Sequence, residues 1–374
     1  MAISGGNITL DSTEGMDKIT QTEKVTSPYF SDGSTTLLAA NITRSQNLTT
    51  TNQTYFEGIS ILTSPTVEEF NVAFGSTRGF GSDDDANAIK APTDAIYKQF
   101  ASLLLAPTEV TGGFNISRGG SHSQALTTED KEIFILSARR SNMKDRLNKG
   151  TWQVNLSGSN TAGTFGTLKS GPDGNVLHLK DDSSTTDATA TPVGDRYNIV
   201  SCSSAGVIAG AATVQNFGFF YPDMGIMVFS KAELSGSIPG SGSVDANVLF
   251  DDNRYRGFGT STTVNTNTNE SLRFINCLQP LGASLKFRDE EDQVSAQYFC
   301  RIKSGHMNFS NNPTFVSGSL NELRQKTMKG NPNTFISSVQ LYNDAGEMVA
   351  VGNLSTPLKK NFSSEATIKV KLTY

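Results

Sequence analysis

Period two dominates this chain. From residue 367 onward the alternation is strict, with Ile368, Val370, Leu372 and Tyr374 on one face and Thr367, Lys369, Lys371 and Thr373 on the other. That is the pattern of a half-buried strand. Upstream, Phe335, Ile336, Val339 and Leu341 run to Tyr342, and Asn343-Asp344-Ala345-Gly346 separates them from Met348, Val349 and Val351. Asn, Asp and Gly tolerate the backbone angles of a tight turn, so the stretch reads as a hairpin and the chain is expected to end inside a sheet. The same reasoning predicts strands around Tyr55, Phe56, Ile59 and Ile61, around Phe70, Val72 and Phe74, and around Trp152, Val154 and Leu156. Ile133 to Leu136 is a continuous apolar run, typical of a strand buried on both faces. Short strands follow at 176–179 and 197–200, and an aromatic group of Phe217, Phe219, Phe220 and Tyr221 precedes Ile226, Val228 and Phe229. From Ser271 the reading is β again, through Leu272, Phe274 and Ile275, then Leu285 and Phe287, then Val294 to Ile302.

One long helix is expected, over 91–105. Pro92 fits a first helical turn, Asp94 favours the positive helix end, Ile96, Phe100, Leu103 and Leu104 share a stripe, and Pro107 stops it. Its apolar stripe is expected to pack on the sheet. The fold class is therefore mainly β with one long helix, as antiparallel sheets or a sandwich with long polar loops. Four regions follow from the composition along the chain. Residues 1–50, polar and Thr-rich, read as an extended N-terminal arm, 51–156 as a β core carrying the helix, 157–270 as a polar β insertion, and 271–374 as a C-terminal β domain completing the core.

Composition supports β-structure with loops: hydrophobic content is 36%, Gly numbers 34 and mean hydropathy is -0.30. The 22 Phe argue against disorder. A net charge of -5 leaves no basic face for a phosphate backbone, so nucleic acid is not expected as a partner. Cys202, Cys277 and Cys300 form neither a disulfide framework nor a zinc spacing. No basic and apolar leader opens the sequence, and the longest apolar run, 205–214, is far below the roughly 20 residues of a membrane helix. A soluble protein made in the cytoplasm is expected. The Asn-x-Ser/Thr triplets, at Asn41 and Asn47 among others, are then accidents of composition.

Candidate chemistry is sparse. Asp83-Asp84-Asp85 lacks the spaced ligands and distal Glu of a calcium loop, and Asp289-Glu290-Glu291-Asp292 reads as an exposed acidic turn. His122, His178 and His306 are scattered, and no nucleophile elbow, P-loop, dinucleotide fingerprint or zinc-protease motif occurs. No catalytic, metal-binding or cofactor-binding residue is expected. The strongest charge feature is Arg139, Arg140, Lys144, Asp145, Arg146 and Lys149, which reads either as solvated loop charge or as a docking patch for an acidic neighbouring subunit. Phe219 and Tyr221 mark the centre of the core or a subunit contact. Arg254, Tyr255 and Arg256, in a Gly/Ser/Asn/Thr-rich loop over 235–270, are further interface candidates.

Several blocks together resemble a known group. Met307-Asn308-Phe309-Ser310-Asn311-Asn312-Pro313-Thr314-Phe315, Asn331-Pro332-Asn333-Thr334-Phe335, Val349-Ala350-Val351-Gly352-Asn353 and the closing Ile368-Lys369-Val370-Lys371-Leu372 are similar to virion structural proteins of T-even-like contractile-tailed phages, especially those of cyanobacteria. Lys144 to Trp152 and Tyr221-Pro222-Asp223-Met224-Gly225 agree, so the resemblance spans roughly 70–374. It implies a non-enzymatic virion component, placed at the tail baseplate, with other virion proteins and further copies of itself as partners. It brings no catalytic or cofactor residues. Host recognition or fibre attachment is the alternative role, and glycan hydrolysis through carboxylates such as Asp289 or Glu291 a third.

Overall fold

The structure is a computed structural model, and it describes residues 17–48, 54–79, 92–110, 112–116, 129–157, 176–208, 216–237, 270–278, 284–309 and 313–374. The protein is mainly β, its sheets are antiparallel and its helix content is low. The chain forms two compact units, a large one over Val25–Glu291 and a smaller one combining Met1–Lys24 with Asp292–Tyr374. In chain order the strands and helices are β1 (Lys18–Pro28), β2 (Thr36–Leu38), β3 (Ile42–Leu48), β4 (Thr54–Ile61), β5 (Ser64–Ser76), α1 (Pro92–Leu104), β6 (Glu132–Ala138) and β7 (Arg146–Leu147). There follow β8 (Gln153–Leu156), β9 (Leu177–Asp181), β10 (Thr189–Thr191), β11 (Gly194–Cys202), β12 (Asn216–Tyr221), β13 (Ile226–Ser230), α2 (Lys231–Ser237) and α3 (Glu270–Leu278). The chain continues with β14 (Ser284–Lys286), β15 (Arg288–Ile302), β16 (Val316–Ser317), β17 (Glu322–Leu323), β18 (Thr334–Tyr342), β19 (Met348–Lys360) and β20 (Ala366–Thr373).

The large unit is one sheet of strand order β2-β14-β8-β9-β11-β12-β13-β6-β5-β4-β3, with β10 added beside β11. Its two ends, β2 and β3, are joined by the single 3-10 turn Ala39–Asn41. Three residues span at most roughly 10 Å, so the sheet must curl until its edges approach, and it is nearly closed. One buried apolar cluster takes side chains from each of the eleven strands along this path, as an enclosed interior requires. Eight strands make a barrel that wall side chains alone can fill; eleven leave more room. That room holds α3, whose described side chains are all buried. Phe274 of α3 packs between Phe134 of β6 (5.5 Å between ring centres) and Phe229 of β13 (5.4 Å).

Alternation divides the strands between two layers. On β6, Phe134 and Leu136 face the interior while Ile133 and Ile135 join a second cluster under α1, with Ile96, Tyr97, Ala101 and Leu104. A bulge breaks the alternation on β12. Ile199 pairs with Gly218 and Val200 with Asn216, leaving Phe217 as the extra residue, and Phe217 is thereby turned into the interior with Phe220. At Gly218 a Cβ would lie 2.0 Å from the Val228 carbonyl oxygen, so the close β12–β13 approach excludes any side chain.

Three expectations are corrected. Residues 25–48 are not an arm: Tyr29 and Phe30 are 2% and 3% exposed inside the barrel, β2 pairs with β14 and β3 with β4. The Tyr29 hydroxyl donates to the Glu69 carbonyl (2.6 Å) and accepts from the Arg139 backbone N–H (2.9 Å). A short polar segment needs little apolar bulk when one aromatic pair and a backbone ladder anchor it. Residues 1–16 lie outside the described residues. Second, 270–278 is a helix and not a strand; Leu272, Phe274 and Ile275 form too short an apolar run for periodicity to decide. Third, the polar β insertion expected over 157–270 is, in its described strands, part of the core sheet: β9 and β11 to β13 are interior members of it.

If α3 is the filling of the barrel, Phe274→Ala opens a cavity between β6 and β13 and lowers unfolding stability by about 3–5 kcal/mol. Urea denaturation measures it; a loss below about 1 kcal/mol contradicts this placement.

Candidate functional site

The basic segment 139–149 and the acidic stretch 289–291 were separate features of the sequence, and the structure brings them together. The acidic stretch is not a turn but the start of β15, and it pairs with β7 through Asp289↔Leu147 and Glu290↔Arg146. Arg146 Nε lies 2.9 Å from Glu290 and its Nη1 3.7 Å from Asp223, while Lys144 Nζ lies 2.8 Å from Glu291. The Lys144 backbone N–H donates to both oxygens of Asp289, at 2.9 and 2.8 Å. Burial raises the Asp289 carboxyl above its ordinary value, and the N–H bonds from Lys144 and Glu290 offset only part of that. Arg139 donates to the Glu68 carbonyl and Arg140 to the Asp145 carbonyl, each at 3.2 Å. The acidic partners of Lys144 and Arg146 are thus in the same chain.

The aromatic candidates are inside. Phe219 and Tyr221 are 5% and 0% exposed and belong to the cluster under α1. The Arg196 guanidinium stands 4.4 Å from the Phe219 ring centre. Burial pushes the Tyr221 hydroxyl up to about 12, with Arg196 pulling the other way. Arg254, Tyr255 and Arg256 lie outside the described residues, as do His122 and Asp83 to Asp85.

A polar row that sequence reading missed crosses β8, β9 and β11. Asn155 is directly opposite His178, and His178 opposite Cys202, so all three project from one face, away from the interior-facing Val154 and Leu179. His178 Nδ1 lies 2.6 Å from Asn155 Oδ1. An amide oxygen only accepts, so Nδ1 is the donor in this pair. Gln153 Nε2 donates to Cys202 Sγ (3.7 Å) and to the Ser203 carbonyl (3.3 Å). Thiol, imidazole and amide are components of nucleophilic catalysis. Here they are shut away, at 1% exposure for Cys202, 7% for His178 and 4% for Asn155, and the row serves to cross-link three strands. Separations of more than 20 residues hide such a row; only strand register reveals it.

An open groove of about 910 Å³ runs along α1, bordered by Arg78, Asp94, Tyr97, Lys98 and Glu129. Lys98 and Asp94 pair with each other at 2.7 Å. The Tyr97 hydroxyl donates to the Asp130 carbonyl and accepts from the Phe114 N–H, so its hydrogen bonds are already committed. Among the described residues no group of three or more His, Cys, Asp and Glu is arranged to hold a metal, and no helix is long and apolar enough to cross a membrane.

The smaller unit differs from the large one in what it leaves uncovered. In it β15 pairs with β20, from Ser295↔Thr373 to Ile302↔Ala366, and β18 pairs with β19 as a separate two-stranded hairpin. The Asn343–Gly346 turn is as the sequence predicts, with Gly346 at φ 81° and its N–H on the Asn343 carbonyl. The hairpin base is held by Lys360, a buried ammonium donating to Asn308 Oδ1 (2.9 Å) and the Ser304 carbonyl (3.0 Å). Neither apolar cluster contains a residue beyond Phe287. Of fifteen exposed large hydrophobic residues among those described, ten lie from Phe309 to Tyr374, so the exposed apolar surface is concentrated here. No family model, curated protein or solved structure matches the chain.

Two outcomes follow from these geometries. Arg146→Ala leaves Glu290, 3% exposed, with less countercharge and costs about 3 kcal/mol, whereas Lys144→Ala at an exposed position costs less than about 1 kcal/mol; equal effects in urea denaturation contradict the seam. Tyr221 holds its proton to a higher pH in the folded state than in the unfolded one. Stability attributable to it is therefore complete below pH 10 and falls by about 1.4 kcal/mol per pH unit as pH rises from 10 towards 12. Tyr221→Phe flattens that decline; an unchanged slope contradicts it.

Proposed function

We propose that this chain is a non-enzymatic structural component of a bacteriophage virion, and that it sits in the tail baseplate, joining neighbouring subunits through its smaller unit. The observation that carries the reading is the state of residues 292–374. They form strands, yet among the described residues their only buried hydrophobic side chains are Ala296, Ile302 and Ala366. A two-stranded hairpin without a covering layer is marginally stable in water, and burial of apolar surface is the dominant favourable term in folding and in most association. Such a unit gains its stability by packing against other subunits, which is what a particle component does. The similarity of residues 307–315 and 331–335 to phage virion proteins supplies the kind of particle. The charged seam is not part of the docking surface in this reading, because Lys144 and Arg146 already have their carboxylates.

Mass spectrometry of purified phage particles tests the proposal. The intact chain is expected as a stoichiometric component. A chain lacking 334–358 is expected to keep the near-ultraviolet circular dichroism of the large unit while failing to enter particles. Absence of the intact chain from particles, or full incorporation of the truncated one, contradicts the reading.

A further inference from the structure

Lys360, the last residue of β19, is 0% exposed and Asn308 2%. Lysine is almost never fully buried unless it is paired with an opposite charge, yet the partners of this ammonium are neutral oxygens. They are Asn308 Oδ1 at 2.9 Å, the Ser304 carbonyl at 3.0 Å and the Asn361 carbonyl at 3.4 Å. Burial lowers Lys360 below its ordinary value, and the charge of Glu365, an exposed residue, offsets only part of that. The backbone around the pair is fixed. Thr334 lies opposite Lys360 in the β18–β19 ladder, and its hydroxyl is 2.9 Å from the Met307 carbonyl and 3.4 Å from the Lys360 carbonyl. Met307 holds φ at 57°, a left-handed conformation uncommon for a residue other than glycine. Asn308 Nδ2 donates to the Ser304 carbonyl at 2.6 Å, so that one oxygen holds both side-chain nitrogens.

We infer that Lys360 and Asn308 join in an intramolecular isopeptide bond, which ties the end of β19 to the segment after β15. With Nζ 2.9 Å from Oδ1 and a C=O bond of about 1.23 Å, the Asn308 Cγ lies at most about 4.1 Å from the lysine nitrogen. Nζ gives up a proton and attacks Cγ; the Nζ–Cγ bond forms, the Cγ–Nδ2 bond breaks, and the proton leaves on Nδ2. Ammonium plus primary amide thus gives secondary amide plus ammonium ion, with nothing oxidised or reduced. Only the neutral amine is a nucleophile, and desolvation favours that form. Holding it against the carboxamide replaces a bimolecular encounter with an intramolecular one. The product also removes a buried charge that lacks a counter-ion, which is costly to keep. The bond spans 52 positions, and a cross-link of that reach restricts the unfolded chain as a disulfide does. Units with thin cores depend on such staples, and residues 292–374 bury few apolar side chains. The inference stands apart from the role proposed above.

Intact mass spectrometry of the folded full-length chain tests it. The expected mass is that of the sequence less one ammonia, and a tryptic digest is expected to yield a branched peptide joining Asn308 to Lys360, uncut after Lys360. Lys360→Arg and Asn308→Ala are each expected to restore the full mass. The branched peptide is read on the wild-type chain, so the answer does not depend on how the variants fold. Asn308 closing on its own backbone to a succinimide would also lose ammonia, but that loss would persist in Lys360→Arg and give no branched peptide. That pattern, or a folded wild-type chain that keeps its full sequence mass, overturns the bond.

Discussion

An eleven-strand antiparallel circuit encloses more volume than its own side chains fill, and the large unit depends on how that volume is occupied. The answer is a buried nine-residue helix, α3, with Phe274 between Phe134 and Phe229. The helix also carries charge into the interior. Glu270 lies 3.2 Å from Lys231 and 3.6 Å from Arg273, and Lys231 is 3.3 Å from Glu132. Buried ions contribute little net stability but make misplacement expensive, since any shift leaves a charge uncompensated. Apolar packing holds α3 in, and the ionic chain restricts where it can sit.

The same economy governs the rest of the large unit. Arg146 spans Glu290 and Asp223, Tyr29 is fixed to Glu69 and Arg139, and the Asn155–His178–Cys202 row links three strands. Among the described residues of the large unit, the charged and aromatic side chains that stand out in sequence are therefore engaged in its own fold. The exposed apolar surface of the described residues is concentrated in the smaller unit, and this difference favours a proposal of assembly.

Period-two alternation made most strands readable, because one residue of shift would turn an entire apolar face outward. The helix over 92–104, the doubly buried β6 and the Asn343–Gly346 hairpin all follow from local pattern. What local pattern cannot carry is pairing. The strands in 25–48 have few apolar residues and owe their place to backbone ladders with β4 and β14. The 270–278 helix looks like a strand because its buried polar residues, Glu270, Arg273 and Asn276, interrupt the apolar run at intervals that suit helix and loop alike. Charge clusters have the same weakness: Arg146 and Glu290 are 144 positions apart, so the sequence shows two patches where the fold makes one pair. The aromatic group at 217–221 was legible as core, but which ring faces which layer depends on the bulge at Phe217.

One asymmetry is central: the described residues of 25–291 bury their own core, whereas the 334–358 hairpin leaves most of its large apolar side chains exposed. Hydrogen exchange on the full-length chain over a dilution series measures it directly. Protection of β6, β12 and β13 is predicted to be independent of protein concentration, while protection of Phe335 to Val351 falls as the chain is diluted. Equal, concentration-independent protection in both regions would show that the hairpin needs no partner and would contradict the account.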